Sequence, residues 1–220
     1  RGRGRRHGRR HGNILHAADR RALRRPGRGF HTPPEDNLAA GRAKGQVTDA
    51  FSIPYILSGH LLAQQGEISR ALAEQALREW GDSEWYAPFA GMTTRKVIKR
   101  LREDHDQELW SYAGQLGSTL FKSHYYALSS NGAAVKAWPV ALLAYPDQER
   151  ALHDTVALTM ASHDDPLSIS GACAISAAVC AALAPDATLT AIIEAAIFGA
   201  EQGERLARQQ EQIWVYPGPS

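Results

Sequence analysis

Cysteine and methionine are scarce in this chain, two of each in 220 residues, and no uninterrupted apolar run reaches membrane-spanning length. Each shortage excludes something. Cys173 and Cys180 lie seven positions apart in an Ala-rich segment that reads as helix. At the helical rise they are about 10 Å apart along the axis, too far for an unstrained mutual disulfide. They read as small buried side chains of a reducing compartment. A membrane span needs about 20 apolar residues, whereas Pro185-Asp186 interrupts the Ala-rich region and Glu194 follows it. With no apolar core behind its charges, the N-terminus does not read as a secretory signal, so the expected location is cytoplasmic. Missing too is any run of strict apolar–polar alternation, the mark of a half-buried strand.

What is present is helix pattern and an uneven charge. The net charge of +2 hides an asymmetry: residues 1–28 hold 11 Arg and one Asp of the chain's 25 basic and 23 acidic residues. The remainder has 14 against 22, a net of −8. A body this acidic is not made for nucleic acid, and RNA binding would rest on the Arg/Gly arm alone. With 44% apolar residues, residues 29–220 suffice for one core. Residues 1–28 are expected as a tail.

The fold class expected is all-α, a compact multi-helix bundle. Helices are predicted from Ile53 to the Gln64-Gln65-Gly66 stop, then over Ser69–Trp80, Thr93–Glu103, His105–Gln115, Ala133–Leu143, Pro146–Ser162, Ser168–Leu183 and Ala187–Gln210. Leu72, Ala73, Ala76, Leu77 and Trp80 share one face of the second. Leu152, Thr155, Val156, Thr159 and Met160 make the stripe of the sixth. The Ala-rich face around Ala172, Ala177 and Ala181 is expected to allow close helix approach. Phe30–Gln46, with Pro33-Pro34, is too irregular for an element and long for a plain connection.

Chemistry concentrates in four short segments. In Ser129-Ser130-Asn131-Gly132-Ala133-Ala134-Val135-Lys136 a polar turn runs toward an apolar helix, an arrangement that offers backbone N–H groups to an anion and is equally an ordinary turn. Thr48-Asp49 sets a hydroxyl beside a carboxylate at a helix entry, the oxygen ligands that Mg²⁺ takes and also ordinary helix caps. Gly91-Met92-Thr93-Thr94 and Ser162-His163-Asp164-Asp165-Pro166 complete the set; a His at such a place is commonly a helix C-terminal cation.

In this order the segments resemble the ADP-ribosylglycohydrolase family, whose members carry Thr-Asp-Asp, Gly-x-x-Thr, Ser-Asn-Gly-Ala-Ala-Met-Arg-x-x-Pro and Ser/Thr-His-x-(Asp or His)-Pro motifs. The resemblance spans about residues 29–200. It implies an all-helical hydrolase that cleaves the glycosidic bond of ADP-ribosylated protein, or of a related small ribosyl compound, with a binuclear Mg²⁺ centre. It further implies that Thr48 and Asp49 ligate metal and that Asp49 lies at the reacting centre. Ser129, Ser130, Asn131 and Gly132 would hold the diphosphate, and His163 the nucleotide side of the same cleft.

The chain departs from that pattern in three ways. The second Asp of the metal motif is Ala50, and no Asp-x-Asp-Thr occurs downstream, so the metal site is expected to be incomplete and the sequence truncated. The family's opening Gly-Asp-Ala-x-Gly is replaced by Arg1-Gly2-Arg3-Gly4-Arg5-Arg6-His7-Gly8. Codon degeneracy permits Arg6–Gly12 to be read one nucleotide later as Ala-Met-Gly-Asp-Ala-Met, so residues 1–28 are expected to be a frame-shifted N-terminus. Third, Met-Arg is Val135-Lys136, which keeps a cation and loses the planar fork, so that a bidentate phosphate contact becomes a point-charge contact. These departures leave two further readings: a non-catalytic relative that only binds an ADP-ribose-like nucleotide, and a basic-armed RNA-binding module.

Overall fold

The computed structural model describes residues 29–35, 40–103 and 129–213. The predicted helix His105–Gln115 and the basic tail 1–28 lie outside the described residues. Two compact units divide the chain, Arg1–Gln46 and Val47–Ser220. In the first, Gly45 at φ +70° would bring a Cβ within 3.1 Å of the Phe30 ring, a position only glycine fills without strain.

The second unit is helical, with no strand among its described residues. Its helices are α1 (Asp49–Ala63), α2 (Arg70–Gly81), α3 (Tyr86–Phe89), α4 (Met92–Glu103), α5 (Trp138–Ala144), α6 (Gln148–Met160), α7 (Pro166–Ala182) and α8 (Leu189–Ile213). A 3₁₀ turn, Ala134–Lys136, precedes α5. Side-chain caps account for several starts. Ser69 accepts from the Leu72 N–H at 3.2 Å, Asp147 from that of Arg150 at 2.9 Å and Asp165 from that of Ser168 at 2.8 Å, each satisfying a donor that a helix start leaves unpaired. As predicted, α1 stops at the Gln64-Gln65-Gly66 turn. Gln65 and Gly66 take positive φ, and the Gly66 N–H returns to the Leu61 carbonyl at 2.8 Å, a left-handed C-terminal cap.

The expected faces are the buried ones. Leu72, Ala73, Ala76, Leu77 and Trp80 all face inward and meet Ile53, Leu57 and Leu61 of α1 and Val97, Ile98 and Leu101 of α4 in the main core. Each large side chain so buried contributes about 1.5–3 kcal/mol. On α6, Leu152, Thr155, Val156 and Thr159 are buried and Met160 half-buried.

Two predicted elements differ in the structure. Ala133–Leu143 is a turn, the 3₁₀ segment and then a new helix, because Pro139 brings no N–H to a helix entering from upstream and disfavours helical geometry at Trp138. The buried face of α7 includes Ala172, Cys173, Ser176, Ala177 and Cys180, so of the expected alanine face Ala172 and Ala177 are buried, Ala174, Ala178 and Ala181 half-buried and Ala182 exposed. Its close approach comes from α8: a Cβ on Gly199 would stand 2.5 Å from the Cys173 carbonyl oxygen, and one on Gly203 2.7 Å from Cys173 Cβ. Both cysteines are free thiols, Cys173 fully buried. No helix of the described residues is long and apolar enough to cross a membrane.

Candidate functional site

The start of α7 organises the site. Pro166 occupies the first helical turn, where its missing N–H costs nothing, and Asp165, 3% exposed, is the N-cap. Asp165 Oδ1 takes two hydrogen bonds, from the Ser168 N–H at 2.8 Å and from Ser129 Oγ at 2.6 Å. The next residue is fixed from the same helix, since the Ser130 N–H donates to Ser168 Oγ at 3.3 Å. A capping carboxylate and a first-turn hydroxyl therefore pin a loop more than 30 positions away in sequence.

Beneath that loop lies His163, 3% exposed. Its Nε2 is 2.8 Å from Ser130 Oγ, and its Nδ1 is 2.8 Å from Ser162 Oγ and 3.5 Å from Lys136 Nζ. Lys136 Nζ also donates to Ser162 Oγ. Gly132 closes the set: its N–H reaches Ser130 Oγ at 3.3 Å, and a Cβ there would stand 3.2 Å from both His163 Cε1 and Ser130 Oγ. Asn131 is exposed; its carbonyl accepts from the Val135 N–H at 3.1 Å.

Burial sets the electrostatics. Lys136 is 3% exposed, and loss of hydration brings its pKa down to about 7. Burial, and then the neighbouring Lys136 charge, brings His163 down to about 3. His163 is thus a neutral imidazole over the whole neutral range, not the helix-end cation that its position in sequence suggests. Burial pushes the Asp164 carboxyl above the usual carboxylate range.

The point-charge contact that sequence leaves open to Lys136 is not on the surface in this geometry. Its amine lies under the loop against Ser162 and His163, where no exposed anion reaches it. The sequence shows that a cation follows Ser-Asn-Gly; it does not show that the 3₁₀ turn and the packing of Ala133 and Ala137 direct it inward.

Thr48 and Asp49 begin α1. Thr48 is the N-cap residue, but its side chain makes no capping bond. Its carbonyl does the work, accepting from the Ser52 N–H at 2.9 Å and from Ser52 Oγ at 3.0 Å. Ser52, 1% exposed, accepts in turn from the Trp80 indole N–H at 2.8 Å. The Thr48 hydroxyl and Asp49 carboxylate, both half-buried, are left unspent by helix capping. Ala50 beside them is exposed.

The structure brings Ser129, Ser130, Gly132 and His163 into one hydrogen-bonded group, with Asn131 at its surface. No hydrogen bond or ion pair among the described residues joins that group to Thr48 or Asp49. What packing shows is that α1 lies against the 3₁₀ turn, and that Ile53, one turn below Asp49, lines a void of about 10 Å³ with Lys136. Among the described residues no three His, Cys, Asp or Glu side chains gather as a metal cluster.

A family model described as ADP-ribosylglycohydrolase matches residues 7–215, beginning well upstream of Gly29. Comparison with curated proteins and with solved structures gave no match.

Proposed function

The chain belongs to the ADP-ribosylglycohydrolase family, and on that premise we propose that it acts on the glycosidic bond at the anomeric carbon of ADP-ribose, in ADP-ribosylated protein or a small ribosyl compound. One observation carries the reading. The Ser129–Gly132 loop carries the Ser130 hydroxyl and the Asn131 side-chain amide on exposed residues and is held from below by Asp165, Ser168 and His163. A preorganised donor set of this kind suits a diphosphate, whose oxygens only accept. Ser130 and Asn131 are the donor contacts, Gly132 lets the ligand approach the backbone closely, and Ser129 and His163 hold the loop from within the protein.

Thr48 and Asp49 form the second half of the site. Their oxygens fit part of a Mg²⁺ shell, since this ion commonly binds one or two carboxylates and keeps several waters. When bound, Mg²⁺ supplies Lewis-acid polarisation and a template for substrate oxygens. The chain's own contribution at the reacting centre is Asp49, which orients a water toward the anomeric carbon. Ala50 favours a second reading, a nucleotide binder with slow turnover, because an expected anionic ligand is missing next to Asp49.

Calorimetry with ADP-ribose and release of ADP-ribose from a modified peptide, each with and without Mg²⁺, separate the two. We expect ADP-ribose binding that Ser130→Ala weakens about tenfold, the loss of one hydrogen bond to a charged group, together with weak Mg²⁺-dependent release. Ala50→Asp places an exposed carboxylate in a first helical turn, where the macrodipole favours it, and is expected to raise that release. Binding without release in both proteins leaves the second reading. Absence of ADP-ribose binding at millimolar concentration defeats both.

A further inference from the structure

The hydrogen bonds around His163 form a chain whose direction is fixed at one end. A lysine ammonium has three donors and no acceptor, so in the contact between Lys136 Nζ and Ser162 Oγ the serine oxygen accepts. Of the two acceptors within reach of the Ser162 hydroxyl hydrogen, the Thr159 carbonyl at 3.5 Å and His163 Nδ1 at 2.8 Å, the imidazole nitrogen is the closer, and Lys136 Nζ itself stands 3.5 Å from the same nitrogen. Both groups that face Nδ1 are thus placed to donate to it. A neutral imidazole whose Nδ1 accepts carries its proton on Nε2, and Nε2 is 2.8 Å from Ser130 Oγ. Ser130 Oγ also receives the Gly132 N–H at 3.3 Å. With two donors directed at its oxygen, the Ser130 hydroxyl has its own hydrogen left to give. Ser130 is exposed, so that hydrogen is given outward.

We propose that Lys136 is a positioning residue that, through Ser162, locks His163 as the Nε2–H tautomer and so makes the Ser130 hydroxyl an outward-facing donor selective for an anionic oxygen. Among the described residues Lys136 makes no ion pair, and Asp165 is turned to Ser129 and Ser168. Gly132 belongs to the device, since a Cβ there would press on His163 Cε1 and Ser130 Oγ together. That the oxygen met by Ser130 belongs to a sugar diphosphate rests on the function proposed above; the tautomer does not.

The test is long-range ¹H–¹⁵N correlation on the full chain with ¹⁵N-labelled histidine. At pH 6, between the His163 value of about 3 and the Lys136 value of about 7, the imidazole is neutral and the amine charged. The expected wild-type pattern for His163 is Nε2–H. Lys136→Met is expected to give Nδ1–H or a mixture and to weaken ADP-ribose binding about tenfold, while Lys136→Arg, also donor-only, restores both. An Nδ1–H or imidazolium pattern in the wild type overturns the proposal whether or not any variant folds. A folded Lys136→Met protein with an unchanged tautomer overturns the role of Lys136. A switched tautomer with unchanged ADP-ribose affinity overturns the link from Ser130 to the ligand. Wild type that keeps Nε2–H yet binds no ADP-ribose upholds the lock and defeats the proposed function instead.

Discussion

At the scale of single residues, the unusual feature is a lysine and a histidine buried side by side, with no carboxylate among the described residues bonded to either. Both are bases whose pKa falls on folding, Lys136 from 10.5 to about 7 and His163 from 6.5 to about 3. The native state therefore binds fewer protons than the unfolded chain between each pair of values, and stability rises with pH across both windows. Acidification from pH 6.5 toward 3 should destabilise the fold through His163. Alkalinisation from pH 7 toward 10.5 should stabilise it through Lys136. Urea midpoints at pH 5, 7 and 9 check this. Lys136→Met should abolish most of the gain between pH 7 and 9 and should be more resistant than wild type at pH 5. The chemistry of these residues is legible in sequence only in part. Ser130, Asn131, Gly132 and His163 stand in recognisable segments, but whether a side chain faces water or core depends on what packs over it. Sequence alone therefore makes Lys136 a surface charge.

At the scale of elements, period and caps are legible and close contacts are not. Ser69 before a stripe of Leu72, Ala76 and Trp80 announces α2 to within a residue, because helix starts and apolar faces are written locally. The seam between α7 and α8 is not local. Gly199 and Gly203, one turn apart, show in sequence only as poor helix formers; their use appears once Cys173 is found against them. Gly203→Ala should therefore destabilise the fold by about 1–3 kcal/mol through overpacking, where alanine at an open helical position would stabilise it. Equilibrium urea unfolding reads the sign directly, and a rise in stability would show that the seam is loose. The Cys173 thiol in this seam is cut off from water, and that desolvation pushes its pKa up to about 12.

At the scale of the whole molecule, all-α architecture is legible in the sequence because no segment alternates and most segments repeat at helical spacing. The packing of α1 against the 3₁₀ turn is a tertiary fact, since the two are far apart in sequence and meet where Ile53 and Lys136 line one void. One link runs from the start of α1 into the main core. The Thr48 carbonyl holds Ser52, and Ser52 holds the Trp80 indole N–H. A fluorophore is thus wired to the entrance of α1, and any ion or sugar that pulls on Thr48 changes the polarity felt by a fully buried indole. Its emission should shift on titration with Mg²⁺ and ADP-ribose, and Ser52→Ala should uncouple that optical signal from binding.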